Sequence, residues 1–428
     1  MLKHSDRHAS YLFWGDLACF IVALYFALIL RSFVLPDLHL LSLHVVPFVI
    51  IFLIWLLVFY IAGLYEFRAA VFQQKLVSRI VNAQLINSGI AIIIFYFIPY
   101  FGITPRTVLF VDLLVTLAFV IGWRLLYLRK VSKGEREKAV ILGEGDAVNE
   151  LKKVFATNPH FGINVVDKIE PGVSVVILDL SKENLPPNLY PLLFSQVRFW
   201  NLESVYEDVF GRVALSQLSD KWVIENISLQ PKLVYTLFKR LMDIVIALPL
   251  FIVSIIFYPF AMLAIKIENR GPVFVSQERV GENNALFKLE KFGSMTGDDA
   301  GNYSGGTTKL SVTKVGAFLR KSRIDELPQL LSVLKGNQTL VGPRAELPAL
   351  VALYRREIPY YDVRHTIKPG MSGWAQVNHD NHPHHGTAVE QTKEKLSYDL
   401  FYVKNRSLWL DLKIVLRTVR TLLSRAGA

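Results

Sequence analysis

Apolar stretches of roughly membrane length, about 20 residues, recur four times in the first third of the chain. They run from about Tyr11 to Leu30, Leu41 to Tyr65, Ile80 to Tyr100 and Thr107 to Trp123. The pattern predicts a bundle of four transmembrane helices over residues 1–130. Two of the stretches carry a carboxylate, Asp16 and Asp112. An acid at membrane depth is costly, so both are expected to face the bundle interior as interhelical polar contacts. Basic residues gather at alternate loops: Lys3 and Arg7 at the start, Arg68, Lys75 and Arg79 after the second stretch, and Arg129, Lys130, Lys133, Arg136 and Lys138 after the fourth. The other two loops hold only Arg31 and Arg106, so both ends of the bundle are expected in the cytoplasm.

Beyond residue 136 the pattern turns soluble. Lys138-Ala-Val-Ile-Leu-Gly-Glu-Gly-Asp reads as a strand entering a glycine turn and then a helix over 147–156, and Val173 to Leu180 as a second buried strand. Residues 136–228 are therefore expected to form a small α/β, Rossmann-like module. Gly143-x-Gly145 lacks the third glycine of a dinucleotide fingerprint, which favours a folding or assembly role over cofactor binding.

A fifth apolar stretch, Ile244 to Ile265, has 22 uncharged residues interrupted by Pro249 and Pro259. Proline removes a helical hydrogen bond and kinks the chain. Lys239 and Arg240 precede the stretch, and Lys266 and Arg270 follow it. Basic flanks on both sides point to a segment that enters the membrane and returns on the same face, over 234–268.

Composition agrees with a membrane protein: 52% of residues are hydrophobic and only 19% charged. The net charge of +11 implies anionic partners such as lipid headgroups and nucleotides. The basic residues flank apolar runs and form no separate domain, which argues against nucleic acid. Cys19 is the single cysteine, so no disulfide forms within one chain.

The chemistry gathers in residues 269–428, expected to be an α+β catalytic domain. Arg320-Lys-Ser-Arg-Ile-Asp325-Glu326-Leu-Pro-Gln329 joins cations to adjacent carboxylates. On a helix the two acids would point apart, leaving one free to attack while the other faces a metal. Phosphoryl transfer needs a nucleophile, neutralising cations and usually Mg²⁺. Leu340-Val-Gly-Pro-Arg344 reads as a rigid turn presenting an arginine, a bidentate phosphate ligand. Ile367-Lys368-Pro-Gly-Met-Ser-Gly373-Trp374-Ala-Gln376-Val-Asn378 is a second Gly/Pro-rich loop with polar side chains.

These segments, with Phe238-Lys-Arg-Leu-Met-Asp243, Gly271 through Gly281, Lys291-Phe, Leu334-Lys-Gly336 and Tyr398-Asp399-Leu-Phe-Tyr402-Val-Lys-Asn405, resemble in order the bacterial sugar transferase family. Its members are monotopic polyprenyl-phosphate hexose-1-phosphate transferases, and the long ones carry four membrane helices and an α/β module in front. The resemblance implies transfer of a hexose 1-phosphate from a UDP-sugar to polyprenyl (undecaprenyl) phosphate, with UMP released, at the start of exopolysaccharide, capsule or O-antigen synthesis. It implies Asp325 as nucleophile, Glu326 as catalytic partner and Mg²⁺ ligand, and Lys291, Arg320, Arg344, Gln376 and Asp399 as phosphate or nucleotide-sugar ligands. Pro259 would break the re-entrant helix. A bacterial inner-membrane location, a cytoplasmic catalytic domain, contact with membrane lipids and a homodimer complete the implied picture.

The chain departs from the family pattern at Ala345, where Pro-Arg-Pro is usual, at Gly293 in place of an arginine, at His379-Asp380 in place of Gly-Arg, and at Ile255-Ile256 in place of Ser-Pro. The lost basic groups keep open a second class of function, a catalytically silent scaffold for polysaccharide assembly. His379, His382, His384 and His385 crowd one loop, but their spacing matches no common zinc site. Trp409 to Leu423 mixes apolar residues with Lys413, Arg417 and Arg420, as an amphipathic helix on an anionic surface would.

Overall fold

The computed structural model describes residues 2–65, 76–97, 106–132, 136–158, 161–179, 189, 192, 194, 197–227, 233–297, 310–378 and 389–423. Arg68, Lys75, His379, Asp380, His382, His384 and His385 lie outside the described residues. The chain forms two compact units, 1–209 and 210–428.

The first unit opens with α1 (Leu2–Ser32), α2 (Leu38–Ile61), α3 (Leu76–Phe97) and α4 (Arg106–Ser132), all four long and apolar enough to cross a membrane. The second stretch stops at Ile61 rather than Tyr65. Gly63 adopts a left-handed φ of +71°, and the Gly63 and Leu64 amides donate back to the Tyr60 and Phe59 carbonyls. That Schellman closure ends α2. It also frees the Leu64 carbonyl, which accepts from Arg124 at 2.6 Å.

Arg124 is the membrane partner that local sequence does not reveal. It lies on α4 and pairs with Asp16 on α1, both almost wholly buried. Gly15 sets the register: a Cβ there would meet the Trp123 ring at 2.1 Å, so the absence of a side chain lets the helices close beside the ion pair. Phe20 packs edge-on against both Trp55 and Phe59 in the same core. Asp112 is also fully buried in the bundle, as expected, but its carboxylate makes no hydrogen bond among the described residues.

The unit continues with β1 (Glu137–Leu142), α5 (Asp146–Thr157), β2 (Ile163–Val166), β3 (Val173–Leu178), β4 (Arg198–Asn201) and α6 (Leu202–Phe210). The four strands pair in parallel in the order β2-β1-β3-β4. Val140, Val176 and Leu178 fill the core on one face.

The second unit begins inside the segment that the sequence assigns to the α/β module. Val213, Trp222 of α7 (Asp220–Asn226) and Ile227 pack with Val351, Tyr361 and Leu400. Next come α8 (Leu233–Ile255) and α9 (Tyr258–Asn269), bent by 52° at the break between them. Pro259 sits in the first turn of α9. Its ring cannot donate to the Ile255 carbonyl and would clash with it in a continuous helix, which places the break at 256–257. Pro249 lies inside α8 without ending it.

The remaining elements are the antiparallel hairpin of β5 (Phe274–Val280) and β6 (Leu286–Phe292), the short pair β7 (Met295–Thr296) and β8 (Ser311–Val312), α10 (Lys314–Lys321), α11 (Gln329–Lys335), β9 (Thr339–Val341), α12 (Pro348–Glu357), β10 (Gly370–Ser372), α13 (Trp374–Asn378), α14 (Val389–Asn405) and α15 (Leu408–Leu423). β9 and β10 pair in parallel.

Charged residues at the start of α8 tie it into this unit. Arg240 donates to the Val333 and Leu334 carbonyls at 2.6 Å each, closing the C-terminus of α11. Asp243 accepts from the Thr339 hydroxyl at 2.7 Å and the Leu340 amide at 3.0 Å. Lys239 and Tyr235 both meet the buried Asp411.

Removing one member of a buried ion pair leaves the other charge uncompensated, at a cost of about 3–5 kcal/mol. Asp16→Leu alone should therefore lower the thermal midpoint of the detergent-solubilised protein markedly, and adding Arg124→Leu should restore most of the loss. Equal melting of the single variant and wild type would show that the pair contributes nothing.

Candidate active site

The segment carrying Asp325 and Glu326 is not the continuous helix expected from sequence. α10 ends at Lys321, and the two acids lie on a 3-10 turn, Ile324–Glu326, before α11 begins at Gln329. Arg323 enters the turn in the left-handed region, φ 58°, a strained conformation for a non-glycine residue. Pro328 occupies the cap of α11 and cannot extend a helix backwards. The acids still diverge, and their surroundings differ.

Glu326 accepts from Arg344 at 3.0 Å and has Arg323 at 3.7 Å. Burial would raise its pKa, but the Arg344, Lys291 and Arg323 charges outweigh burial and hold it near 2. Asp325 is 7% exposed, and its buried Oδ1 makes no hydrogen bond among the described residues. Burial, then the neighbouring Glu326 charge, pushes its carboxyl up to about 6 against the pull of Lys291, Arg320 and Arg323. Lys291 on β6 is lowered to about 8, first by burial and then by Arg344. Two adjacent carboxylates are thus driven apart: one stays charged at any physiological pH, and the other titrates near neutrality.

A cleft beside the pair is lined by Arg279, Leu289, Lys291, Gln329, Gln338, Arg344, Ala345, Gly370 and Met371. Lys291 and Arg344 both line it. Arg320 acts on Asp325 from the end of α10. Gln376 lies on α13, beyond the β10 loop. Arg279 joins the cleft without having been singled out by sequence. It is the sixth residue of β5, donating to Gln277 at 2.8 Å and to the Ala345 carbonyl at 3.3 Å.

Arg344 is held by backbone. The Gly370 amide donates to the Pro343 carbonyl at 2.9 Å and the Gly342 amide to the Ser372 carbonyl at 2.8 Å. The strands approach so closely that a Cβ on Gly370 would fall 2.0 Å from the Gly342 nitrogen. Below, Arg364 donates to the Arg344 carbonyl at 2.9 Å.

Asp399 is placed here too, behind the cleft lining. It is buried and pairs with Arg364 at 2.8 Å. Arg364 also donates to the Tyr361 hydroxyl at 2.7 Å, which donates to Glu346 at 2.6 Å. Lys395 pairs with Glu346 from α14. Asp399 therefore reaches the site through Arg364 and Arg344.

Residues 234–425 match the family described as Bacterial sugar transferase. The chain is 38% identical over 276 residues to the UDP-N-acetylgalactosamine-undecaprenyl-phosphate N-acetylgalactosaminephosphotransferase of Aeromonas hydrophila, covering 62% of this chain and 63% of that protein. It is 40% identical over 206 residues to the UDP-glucose:undecaprenyl-phosphate glucose-1-phosphate transferase of Caulobacter vibrioides, covering 46% and 74%. A third relative is the Exopolysaccharide production protein PSS of Rhizobium leguminosarum bv. phaseoli, 37% identical over 194 residues, 44% and 96%. The chain belongs to the bacterial sugar transferase family. It spans less than two thirds of the length of the Aeromonas relative.

The departures from the family pattern fall in different local settings. At Gly293 a Cβ would meet the Pro272 carbonyl oxygen at 2.3 Å, so any side chain would force the strand away. Ala345 is buried and lines the cleft. Near Asn378 a cation is present from α15: Arg417 donates to the Asn378 side-chain Oδ1 and lies 4.9 Å from the Trp374 ring centroid.

Asp399→Leu strands Arg364 beside Arg344. It should destabilise the protein by about 3–5 kcal/mol. Thermal melting checks this, and an unchanged midpoint would remove Asp399 from the support of the site.

Proposed function

We propose that this chain transfers a hexose 1-phosphate from a UDP-sugar to undecaprenyl phosphate through a covalent aspartyl intermediate. The observation that carries the reading is the adjacent Asp325 and Glu326, with Arg344 fixed on Glu326 at 3.0 Å, beside a cation-lined cleft. The Asp325 carboxylate attacks the sugar-bearing phosphorus. The bond from that phosphorus to the bridging oxygen breaks, and UMP leaves with the electron pair. An oxygen of the lipid phosphate then attacks the same phosphorus, returning the carboxylate and forming the sugar diphospholipid. Lys291, Arg279 and Arg344 balance the phosphate charge, and Arg320 lies close enough to steady the Asp325 carboxylate.

The unpartnered Oδ1 of Asp325 beside Glu326 is a donor set suited to Mg²⁺, which takes one or two carboxylates and completes its shell with water and phosphate. Bound there by Glu326, it would supply further neutralisation of phosphate charge. Among the described residues no group of three acids or histidines forms a self-sufficient metal cage.

Membrane placement belongs to the same reading. α8, α9 and the break between them expose Val245, Leu248, Ile252, Ile256, Phe260 and Leu263, a surface suited to lipid. The bend at Pro259 and the basic flanks support a re-entrant helix that returns to the cytoplasmic face. That arrangement puts the cleft in reach of cytosolic UDP-sugars at the inner membrane. The β2-β1-β3-β4 parallel order supports a Rossmann-like module, to which this reading gives a folding or assembly role. A homodimer is part of the proposal. The retention of Asp325, Glu326 and Arg320 opposes the alternative of a catalytically silent scaffold.

Turnover should follow a bell. Asp325 must be ionised to attack, so kcat/KM rises with pH through about 6; Lys291 must be charged to hold phosphate, so it falls through about 8. A profile flat from pH 5 to 9 would remove both assignments.

Asp325→Asn should abolish UMP release with folding intact, and Arg344→Ala should cost about 10²–10³ in kcat. Wild-type protein incubated with labelled UDP-sugar and no lipid should retain protein-bound sugar phosphate. Intersecting initial-rate lines with no trapped label would replace the covalent route by direct transfer.

A further inference from the structure

The start of α10 is closed by a side chain from another helix. A helix leaves its first four backbone amides without partners of its own. Thr313 takes two of them: its hydroxyl accepts from the Gly316 amide and its carbonyl from the Ala317 amide, both at 2.8 Å. The other two go to Glu268, in the last turn of α9. Its carboxylate accepts from the Lys314 amide at 2.7 Å and from the Val315 amide at 3.0 Å. Within α9 this acid is badly placed, because a negative charge at a helix C-terminus opposes the helix dipole. The first turn of α10 has no acid of its own, and its exposed amides welcome one. Glu268 therefore suits the junction of the two helices and not α9 alone.

That junction lies one helix away from the proposed nucleophile. Arg320 stands in the last turn of α10, and its charge acts on Asp325. Each following step is hydrogen-bonded to the one before. The Arg323 amide donates to the Arg320 carbonyl at 3.2 Å, the Glu326 amide to the Arg323 carbonyl at 3.3 Å, and the Leu327 amide to the Ile324 carbonyl at 3.1 Å. Ile324, which begins the turn carrying Asp325, shares one apolar cluster with Ala261 and Ile265 of α9, Leu319 of α10 and Phe292 beside Lys291. A Cβ on Gly316 would fall 1.9 Å from the Ser294 carbonyl oxygen, so α10 also lies against the backbone just past Lys291. An eight-residue helix is too short to be stable by itself, and apolar packing is non-directional. The Glu268 carboxylate supplies the directional contact that fixes where α10 begins.

We propose that Glu268 is a positioning residue: from the end of the apolar arm α9 it caps α10, and so holds Arg320 and the Asp325 turn in the geometry for attack. This rests on the transferase reading above. The full-length protein in nanodiscs containing undecaprenyl phosphate is studied under single-turnover conditions, with enzyme in excess over UDP-sugar, where the rate of UMP release does not depend on the folded fraction. Glu268→Ala should slow that rate about fivefold, the size of one lost helix cap. Its affinity for UDP should stay unchanged, because Lys291, Arg279 and Arg344 stand on other elements. Glu268→Gln keeps the length and one accepting oxygen and should recover most of the rate. In hydrogen exchange, Glu268→Ala should speed the amides of 314–327 and leave the β5–β6 hairpin as in wild type.

An unchanged single-turnover rate in Glu268→Ala would overturn the proposal, as would a Glu268→Gln variant no faster than Glu268→Ala. An equal loss of UDP affinity would place Glu268 in ligand binding instead, and faster exchange throughout the unit would reduce it to general stability. If the wild-type protein releases no UMP, the transferase reading fails. Exchange at 314–327 then still decides whether Glu268 holds that segment: unaltered exchange in Glu268→Ala would sink the positioning role as well.

Discussion

The site is governed by the difficulty of keeping two neighbouring carboxylates in a poorly hydrated pocket. Side by side and buried, Asp325 and Glu326 would both protonate unless cations were fixed against them. Arg344 resolves this by taking Glu326, which leaves Asp325 as the group that titrates. The division works only while the guanidinium stays in place. Its backbone is zipped to β10 at Gly342 and Gly370, and its carbonyl is gripped by Arg364. Arg364 needs Asp399, Glu346 and Tyr361, and Glu346 needs Lys395. A chain of buried charges therefore extends from α14 to the carboxylate pair, and each link is costly to break because its partner is also out of water.

The apolar helix α8 is joined to the same machinery. Arg240 closes the end of α11, the helix that starts just past Asp325, and Asp243 holds Thr339 and Leu340 on β9, the strand that leads to Arg344. The residues that fasten the apolar segment thus also hold the elements on either side of Asp325 and Arg344. In the first unit the same physics appears in simpler form. One glycine permits two helices to touch, and the contact places Arg124 on Asp16 and on a carbonyl released by the end of α2.

Much of this was legible along the chain because it is local. Apolar runs of membrane length, a proline that forbids a hydrogen bond, glycines before a helix and an Asp-Glu pair among arginines each act within a few residues. The bundle helices, the break near Pro259 and the gathering of Lys291, Arg344, Asp325 and Glu326 follow from such signals and from the family resemblance.

What tertiary structure alone decided is pairing. Asp16 and Arg124 are 108 residues apart, and no period or motif links them. Asp399 stands in a family motif that implies ligand binding, yet folding sets it behind Arg364. Gln338 reads as an ordinary polar residue after a glycine turn until the fold buries its amide in the cleft wall. Asp325 and Glu326 were expected on a helix and lie on a 3-10 turn, because Arg323 and Pro328 interrupt it. Sequence determines which groups carry charge and where the backbone can bend. The value of a charge depends on the medium and neighbours around it, and those exist only once distant segments have closed over one another.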